Sequence, residues 1–198
     1  LMRVGFVGEL GYEIHAPAAD TPRLWDALFR EGQAAGIQAF GVEAQRLLRL
    51  EKGHVILGQD TDGLTTPVEA SLEWAVRMDK PFFIGQRSLQ AMAGRPPRHR
   101  LVGFLLDAAD AEHAPSECHL VIHRGEIGGR VTSIAHSRTL NQVIGLAYVP
   151  PALSTPGSRL EIRSEGGRMV RAEVVKTPFY DPEGRRQKVG EHAAEDSA

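Results

Sequence analysis

The chain has 198 residues, with 23 Lys and Arg against 25 Asp and Glu and a formal net charge of −2 at pH 7. Charged residues make up 24% and hydrophobic residues 42%, which excludes a disordered polyelectrolyte and gives no bulk electrostatic reason to expect nucleic acid. The length allows one domain or two small ones, and no apolar run approaches the roughly 18 residues of a membrane-spanning helix. A single cysteine, Cys118, excludes an internal disulfide and fits a reducing compartment, so the expected location is the cytoplasm. The opening run Leu1-Met2-Arg3-Val4-Gly5-Phe6 is strand-like from its first residue, and the chain is expected to be a piece of a longer protein.

In chain order, the first stretch alternates and is punctuated by Gly5, Gly8 and Gly11; Tyr12-Glu13-Ile14-His15 then reads as a strand leaving a tight turn. Thr21-Pro22 marks a helix start, with Thr21 as the cap and Pro22 at the first position. Leu24, Trp25, Leu28 and Phe29 follow on one helical face, expected to pack into a core, and Gly36 is the expected stop. Ile37 to Phe40 is a connection or short strand. A second helix is expected over Val42 to Lys52 with Gly53 as its stop, then a strand-like His54-Val55-Ile56-Leu57 and a polar turn from Gln59 to Gly63. Thr66-Pro67-Val68-Glu69 is a capping box, predicting helix through about Ala75. Phe82 to Gly85 reads as a short buried segment and Gln86 to Ala93 as one more helix.

Arg95-Pro96-Pro97-Arg98-His99-Arg100 interrupts this pattern, because paired prolines continue neither a helix nor a central strand. It reads as a linker, 95–100, with an anion site as the alternative. Six short strand candidates follow, at 101–106, 119–123, 128–135, 143–149, 159–163 and 169–175, separated by turn signals such as Arg124-Gly125 and Glu165-Gly166-Gly167. Short strands at near-regular spacing predict an all-β barrel or sandwich. The tail, 191–198, is small and charged and is expected to be disordered.

Few residues point to chemistry on their own. The spacing of Gly5, Gly8 and Gly11 is neither the dinucleotide fingerprint nor a P-loop, and fits a tight turn or a backbone brought close to a flat ligand. Glu9 and Glu13 flank that turn. A carboxylate such as Glu13 reads first as a surface glutamate, with a match to the paired N–H groups of a pterin-like ring as the alternative. Cys118, His119, His123 and Asp110 have no standard zinc spacing, so no metal is expected. No nucleophile elbow and no Cys-plus-partner pattern is present.

The ordered series of short motifs resembles the glycine cleavage T-protein (aminomethyltransferase) family. Gly8-Glu9-Leu10-Gly11-Tyr12-Glu13-Ile14 is similar to its Gly-Glu-x-Gly-aromatic-Glu segment, and Arg49-Leu50-Glu51-Lys52-Gly53 to its Arg-Leu-Glu-x-Gly helix end. Thr65-Thr66-Pro67-Val68-Glu69-Ala70, Phe83-Ile84-Gly85, Leu101-Val102-Gly103, Val131-Thr132-Ser133 and Ile144 to Val149 continue the resemblance in order. Within the family, Glu51 to Gly63, Thr139-Leu140-Asn141 and Pro178 to Gly184 look most like the C-terminal part of the sarcosine oxidase alpha subunit, with the free glycine cleavage protein as the alternative branch.

The resemblance implies an α+β chain: residues 1–94 as the C-terminal part of an α/β folate-binding domain, then residues 101–190 as a small antiparallel β-barrel domain. It implies tetrahydrofolate as cofactor, with Glu13 holding the pterin beside Tyr12 and Glu9. An arginine that in the family binds the ligand's far end falls on Gln45, with Arg46 next to it. Neighbouring helical positions differ by about 100°, so replacement of that arginine by Arg46 is not automatic. The implied chemistry is one-carbon transfer from an N-methyl amine, giving 5,10-methylenetetrahydrofolate. The family's catalytic aspartate is expected upstream of these residues, so no catalytic residue is assigned here. Flavin and NAD are expected only on other parts of a sarcosine oxidase-type complex, whose other subunits are the expected partners, with neither nucleic acid nor membrane among them. A non-catalytic folate-binding or subunit-docking module is the reading outside enzymology.

Overall fold

The computed structural model describes residues 1–189. The expectation for the tail at 191–198 lies outside the described residues. The chain is α+β: a helical and irregular first half, then a closed six-stranded antiparallel β-barrel.

The first half opens on a hairpin of two short strands, β1 (Met2–Arg3) and β2 (Tyr12–Glu13), paired Met2 to Glu13 and Arg3 to Tyr12. The expected strand to His15 therefore stops two residues early. Helix α1 spans Thr21–Gly32; Thr21 is already helical rather than the cap, and Asp20 before it makes no side-chain capping bond. It continues through one 3-10 turn and stops at Gly36, whose φ of 70° lets the Ile37 N–H close back onto the Gly32 carbonyl at 3.1 Å. Its apolar face does not enter a core as expected. Trp25 is 54% exposed, no residue of α1 is buried, and Trp25 packs instead against Phe29 in a tilted pair with ring centroids 4.6 Å apart.

Helix α2 (Val42–Glu51) ends as the sequence predicts, with Gly53 at φ 69° and the His54 N–H on the Arg49 carbonyl at 2.9 Å. Neither Ile37 to Phe40 nor His54 to Leu57 becomes a strand; a single bridge joins Leu57 to Thr61. The Thr66–Glu69 capping box forms, with the Thr66 N–H 3.1 Å from Glu69 and the Glu69 N–H 3.2 Å from Thr66 Oγ1. The predicted helix nevertheless stops after one turn. Ser71 adopts φ 58°, the Leu72 N–H returns to the Pro67 carbonyl, and the Ser71 hydroxyl bonds the Leu101 carbonyl at 2.9 Å. A tertiary bond to the barrel thus outweighs the local helix signal. Only the short 3-10 turn Glu73–Ala75 follows, and then α3 (Gln86–Met92). The segment at Phe82 to Gly85, read as buried, is exposed at Phe82 and Ile84.

The barrel strands are β3 (Arg100–Leu106), β4 (Leu120–His123), β5 (Glu126–Ser137), β6 (Gln142–Val149), β7 (Arg159–Arg163) and β8 (Met169–Val175), closed in the order β3-β6-β5-β4-β7-β8. Period-two alternation sends Val102, Phe104 and Leu106 of β3, and Ala147 and Val149 of β6, into the barrel with Val121, Val131, Leu160, Ile162 and Val170. The opposite faces are also buried. Leu101, Ile144, Leu146 and Tyr148 point outward onto Leu50 of α2 and form a second core. This explains why β6 reads as a continuous apolar run: both faces of the strand are covered. Two glycines are required by close approach. A Cβ at Gly129 would lie 2.0 Å from the Tyr148 carbonyl oxygen, and one at Gly145 would lie 2.3 Å from the Phe104 ring.

After β8 the chain returns to the first half. Phe179 and Tyr180 donate their N–H groups to the Glu51 carbonyl at 3.0 Å, and the Leu10 N–H bonds the Arg186 carbonyl at 3.0 Å. Both ends of the described chain are thereby fixed to α2 and the glycine turn.

Candidate functional site

The glycine turn is built by backbone. Val4 N–H donates to the Gly11 carbonyl at 3.0 Å and Gly8 N–H to that of Gly5 at 3.1 Å. Gly8 has φ 83°, and a Cβ at Gly11 would sit 2.5 Å from the Val4 oxygen, so both positions demand glycine. The turn delivers Tyr12 and Glu13 on an exposed strand: the tyrosine is 55% exposed and so is the Glu13 side chain. Glu13 Oε2 faces His15 Nε2 at 3.3 Å, a long contact that leaves the carboxylate most of its acceptor capacity. Glu9 turns the other way, to Arg186 at 3.5 Å, where Arg186 also donates to the Tyr180 hydroxyl at 2.9 Å. Among the described residues no hydrogen bond or ion pair joins this hairpin to Gln45 or Arg46.

Arg46 leaves α2 toward the barrel. Its guanidinium donates to Glu117 at 2.9 Å and to Gln59 at 3.2 Å, and Gln59 Nε2 donates in turn to Glu117 at 2.8 Å and to the Thr132 carbonyl at 3.0 Å. Gln45, one position earlier, is exposed. The two residues paired by the sequence reading therefore face different surroundings, as the helical rotation requires.

The sequence reading missed a buried polar cluster among the described residues. Arg49 and Asp60 form an ion pair at 2.7 Å with side chains 2% and 0% exposed. Asp60 also accepts from Thr132 and Ser133 at 2.6 Å each and from the Ile56 N–H at 2.8 Å. Arg49 further donates to Ser133 at 2.7 Å and to the His54 carbonyl at 2.9 Å. Tyr148 donates its hydroxyl to the Asp60 carbonyl at 2.8 Å, and burial pushes its phenol above its ordinary pKa. The sequence places Asp60 in a polar turn, and the fold buries it completely. Its neighbour Asp62 is a turn residue, accepting from the Leu64 and Thr65 N–H groups at 2.9 and 2.8 Å, and the Leu64 N–H leads the bonds that hold its carboxyl below the usual range. The signal for Asp60 was available only as a pairing of distant motifs: the arginine of the Arg-Leu-Glu helix end with Thr132-Ser133.

The same helix end makes two further joints. Glu51 accepts from Ser137 at 2.6 Å, and Lys52 pairs with Asp181 at 3.1 Å with both side chains nearly buried. Burial raises the Asp181 carboxyl, but bonds from the Arg185 N–H, Lys52 and the Arg186 N–H outweigh it and leave the group below its ordinary 3.8. A depressed folded pKa gives stability that is present above 3.8 and lost as pH falls through the lower folded value. The stability gap between wild type and Asp181→Asn is therefore expected to be constant near neutral pH and to shrink below about pH 3.8, which urea unfolding across that range measures.

Among the described residues no group of three or more His, Cys, Asp or Glu side chains is placed to hold a metal ion. His119 Nδ1 accepts the Ser116 N–H and Asp110 the Arg171 N–H, which occupies two of the residues weighed for a metal. No described helix is long and apolar enough to cross a membrane.

A glycine turn presenting an open carboxylate is thus joined through one helix end to an antiparallel barrel. Residues 1–80 match the GCVT N-terminal domain, and residues 99–181 match the glycine cleavage T-protein C-terminal barrel domain. The chain belongs to the glycine cleavage T-protein family. It is 41% identical over 180 residues to an aminomethyltransferase of Synechococcus sp. (strain CC9311), covering 90% of this chain and 46% of the relative. It is 37% identical over 186 residues to a 4-methylaminobutanoate oxidase (formaldehyde-forming) of Paenarthrobacter nicotinovorans, covering 93% of this chain and 22% of that protein. The solved aminomethyltransferase T of the Bartonella henselae glycine cleavage system superposes with a TM-score of 0.80 at 26% identity, covering 91% of this chain and 49% of that one. The chain thus spans about half the length of the aminomethyltransferases it matches.

Proposed function

We propose that this chain is the folate-binding and barrel part of a one-carbon transferase, in which Glu13 holds the pterin of tetrahydrofolate. The observation that carries this is the Glu13 carboxylate, left half-exposed and lightly bonded on a turn whose glycines admit no side chain. A pterin edge presents two adjacent N–H donors, and a carboxylate with free lone pairs is the acceptor that matches them in bidentate form. Tyr12 offers its ring on the same exposed strand. When bound, tetrahydrofolate supplies the amine nitrogens that take up the one-carbon unit. The chain's own share is to bind and orient, an effect that needs a rigid frame, and the Arg49–Asp60 joint and the returning C-terminal segment supply that frame. Residues 1–94 are read as the folate-binding part, 95–100 as the linker and 101–190 as the barrel domain.

The oxidase branch is the finer proposal: a sarcosine oxidase alpha subunit, supported by the Glu51 to Gly63 run and by the likeness to the methylaminobutanoate oxidase. The free glycine cleavage aminomethyltransferase is the second reading, favoured by the identity to the Synechococcus protein. An assay of the full-length protein in its native complex separates them. With sarcosine and oxygen, the oxidase reading expects 5,10-methylenetetrahydrofolate when tetrahydrofolate is present and formaldehyde when it is absent. With an aminomethylated lipoyl carrier, the glycine cleavage reading expects the same folate product together with ammonia. No folate product from either donor contradicts the one-carbon transferase assignment itself.

A further inference from the structure

A cleft of about 1210 Å³ lies apart from Glu13. One wall is the irregular segment from Asp62 to Met78, a second is α3 with the linker that follows it, and the third is the outer face of the barrel at Ile127, Arg130 and Tyr148. Most of the lining is apolar, from Val68, Val76, Met78, Leu89 and Met92. The charges sit at the rim and are unevenly satisfied. Asp62 is bonded within its own loop by Leu64 and Thr65, Glu69 by Thr66, and Glu73 pairs with Arg100 at 3.2 Å. Arg95, Arg98 and Arg130 also line the cleft, and none of the three makes an ion pair among the described residues. Arg130 rests over the Tyr148 ring, 6.0 Å from its centroid, which fixes the cation at the cleft wall.

We infer that this cleft is a binding site for a small dicarboxylate with an aromatic or aliphatic body, its apolar part between α3 and the barrel and its carboxylates on Arg95, Arg98 and Arg130. The carboxylates already at the rim are bonded by donors of their own, and Asp62 feels the Arg130 charge without bonding it, so the three guanidiniums keep their hydrogen bonds for an incoming anion; guanidinium is the group whose geometry suits a carboxylate. A mostly apolar hollow with a few convergent polar groups is the usual form of a small-molecule site. An extended peptide is a poorer match, since the closed barrel offers no free strand edge to pair with. The basic linker thereby acquires a role besides connection.

The test uses N-benzoyl-L-glutamate and its uncharged diamide as probes on the full-length protein, with methionine methyl groups labelled for NMR. The dicarboxylate is expected to shift the Met78 and Met92 signals and leave Met2 and Met169 in place. The diamide at equal concentration is expected to leave all four unmoved. Arg95→Ala/Arg98→Ala, on the exposed linker, and separately Arg130→Ala are each expected to weaken binding about tenfold or more. Unmoved Met78 and Met92 signals, equal response to the diamide, or unchanged affinity in both variants would overturn the inference. So would capture of an oligoglutamate peptide without any response to benzoylglutamate.

Discussion

Asp60→Ala is expected to cost about 3–5 kcal/mol of unfolding free energy, the loss that follows when one partner of a buried ion pair is removed. The asymmetry is what makes the effect large. With Asp60 gone, the Arg49 guanidinium stays 98% enclosed, facing the Ser133 hydroxyl and the His54 carbonyl but no anion. Thr132 and Ser133 lose their shared acceptor at the same time, and the Ile56 N–H loses the bond that shapes the 56–60 turn. Replacing both charged partners by apolar residues, as in Arg49→Met/Asp60→Leu, is expected to restore much of the loss, because the uncompensated charge and not the missing attraction dominates. Denaturant unfolding of the two variants beside wild type measures both effects. A single variant within 1 kcal/mol of wild type would show that this joint does not hold the barrel to the first half.

How much of this was legible in the sequence depends on the range of each interaction. The six barrel strands were readable within one residue at most ends, because alternation and turn residues are local signals. β5 is the exception: it runs from Glu126 to Ser137, past the expected 128–135 at both ends. The glycine stops at Gly36 and Gly53 were readable for the same reason, since positive φ is a property of one residue. The helix after Thr66 was not. Its capping box forms as expected, and a single hydroxyl bond from Ser71 to the barrel ends the helix after one turn. Trp25 and Phe29 show the converse case: their spacing identified a helix correctly, but an amphipathic face does not say what covers it.

The candidate site divides along the same line. Glu13 and Tyr12 were located by a short motif, and the hairpin carries them on its exposed strand. Arg46 was weighed as a substitute ligand-binding arginine because it neighbours Gln45 in sequence. Its bonds to Glu117, 71 residues away, and to Gln59 belong to tertiary packing that no local pattern records. Asp60 escapes local reading for the same reason: four of its partners are the side chains of Arg49, Thr132 and Ser133 and the backbone of Ile56, and two of those lie on a barrel strand more than 70 residues away.

Glu13→Gln is the second change with a large expected effect, and it acts on binding rather than stability. The side chain lies on the surface and holds nothing in place, so the unfolding curve is expected to stay where it is. Glutamine keeps the shape but offers one acceptor oxygen in place of two and carries no charge. Each charge-assisted bond is worth about 1.5–3 kcal/mol, so affinity for tetrahydrofolate is expected to fall about 10- to 100-fold. Glu9→Gln serves as the comparison, since Glu9 faces Arg186 and is expected to change affinity far less. The decisive measurement is an equilibrium titration of the full-length protein and its Glu13→Gln variant with tetrahydrofolate, read by tryptophan fluorescence or calorimetry. The account predicts saturable binding to wild type and at least tenfold weaker binding to the variant; equal affinities, or no binding to wild type, would contradict it.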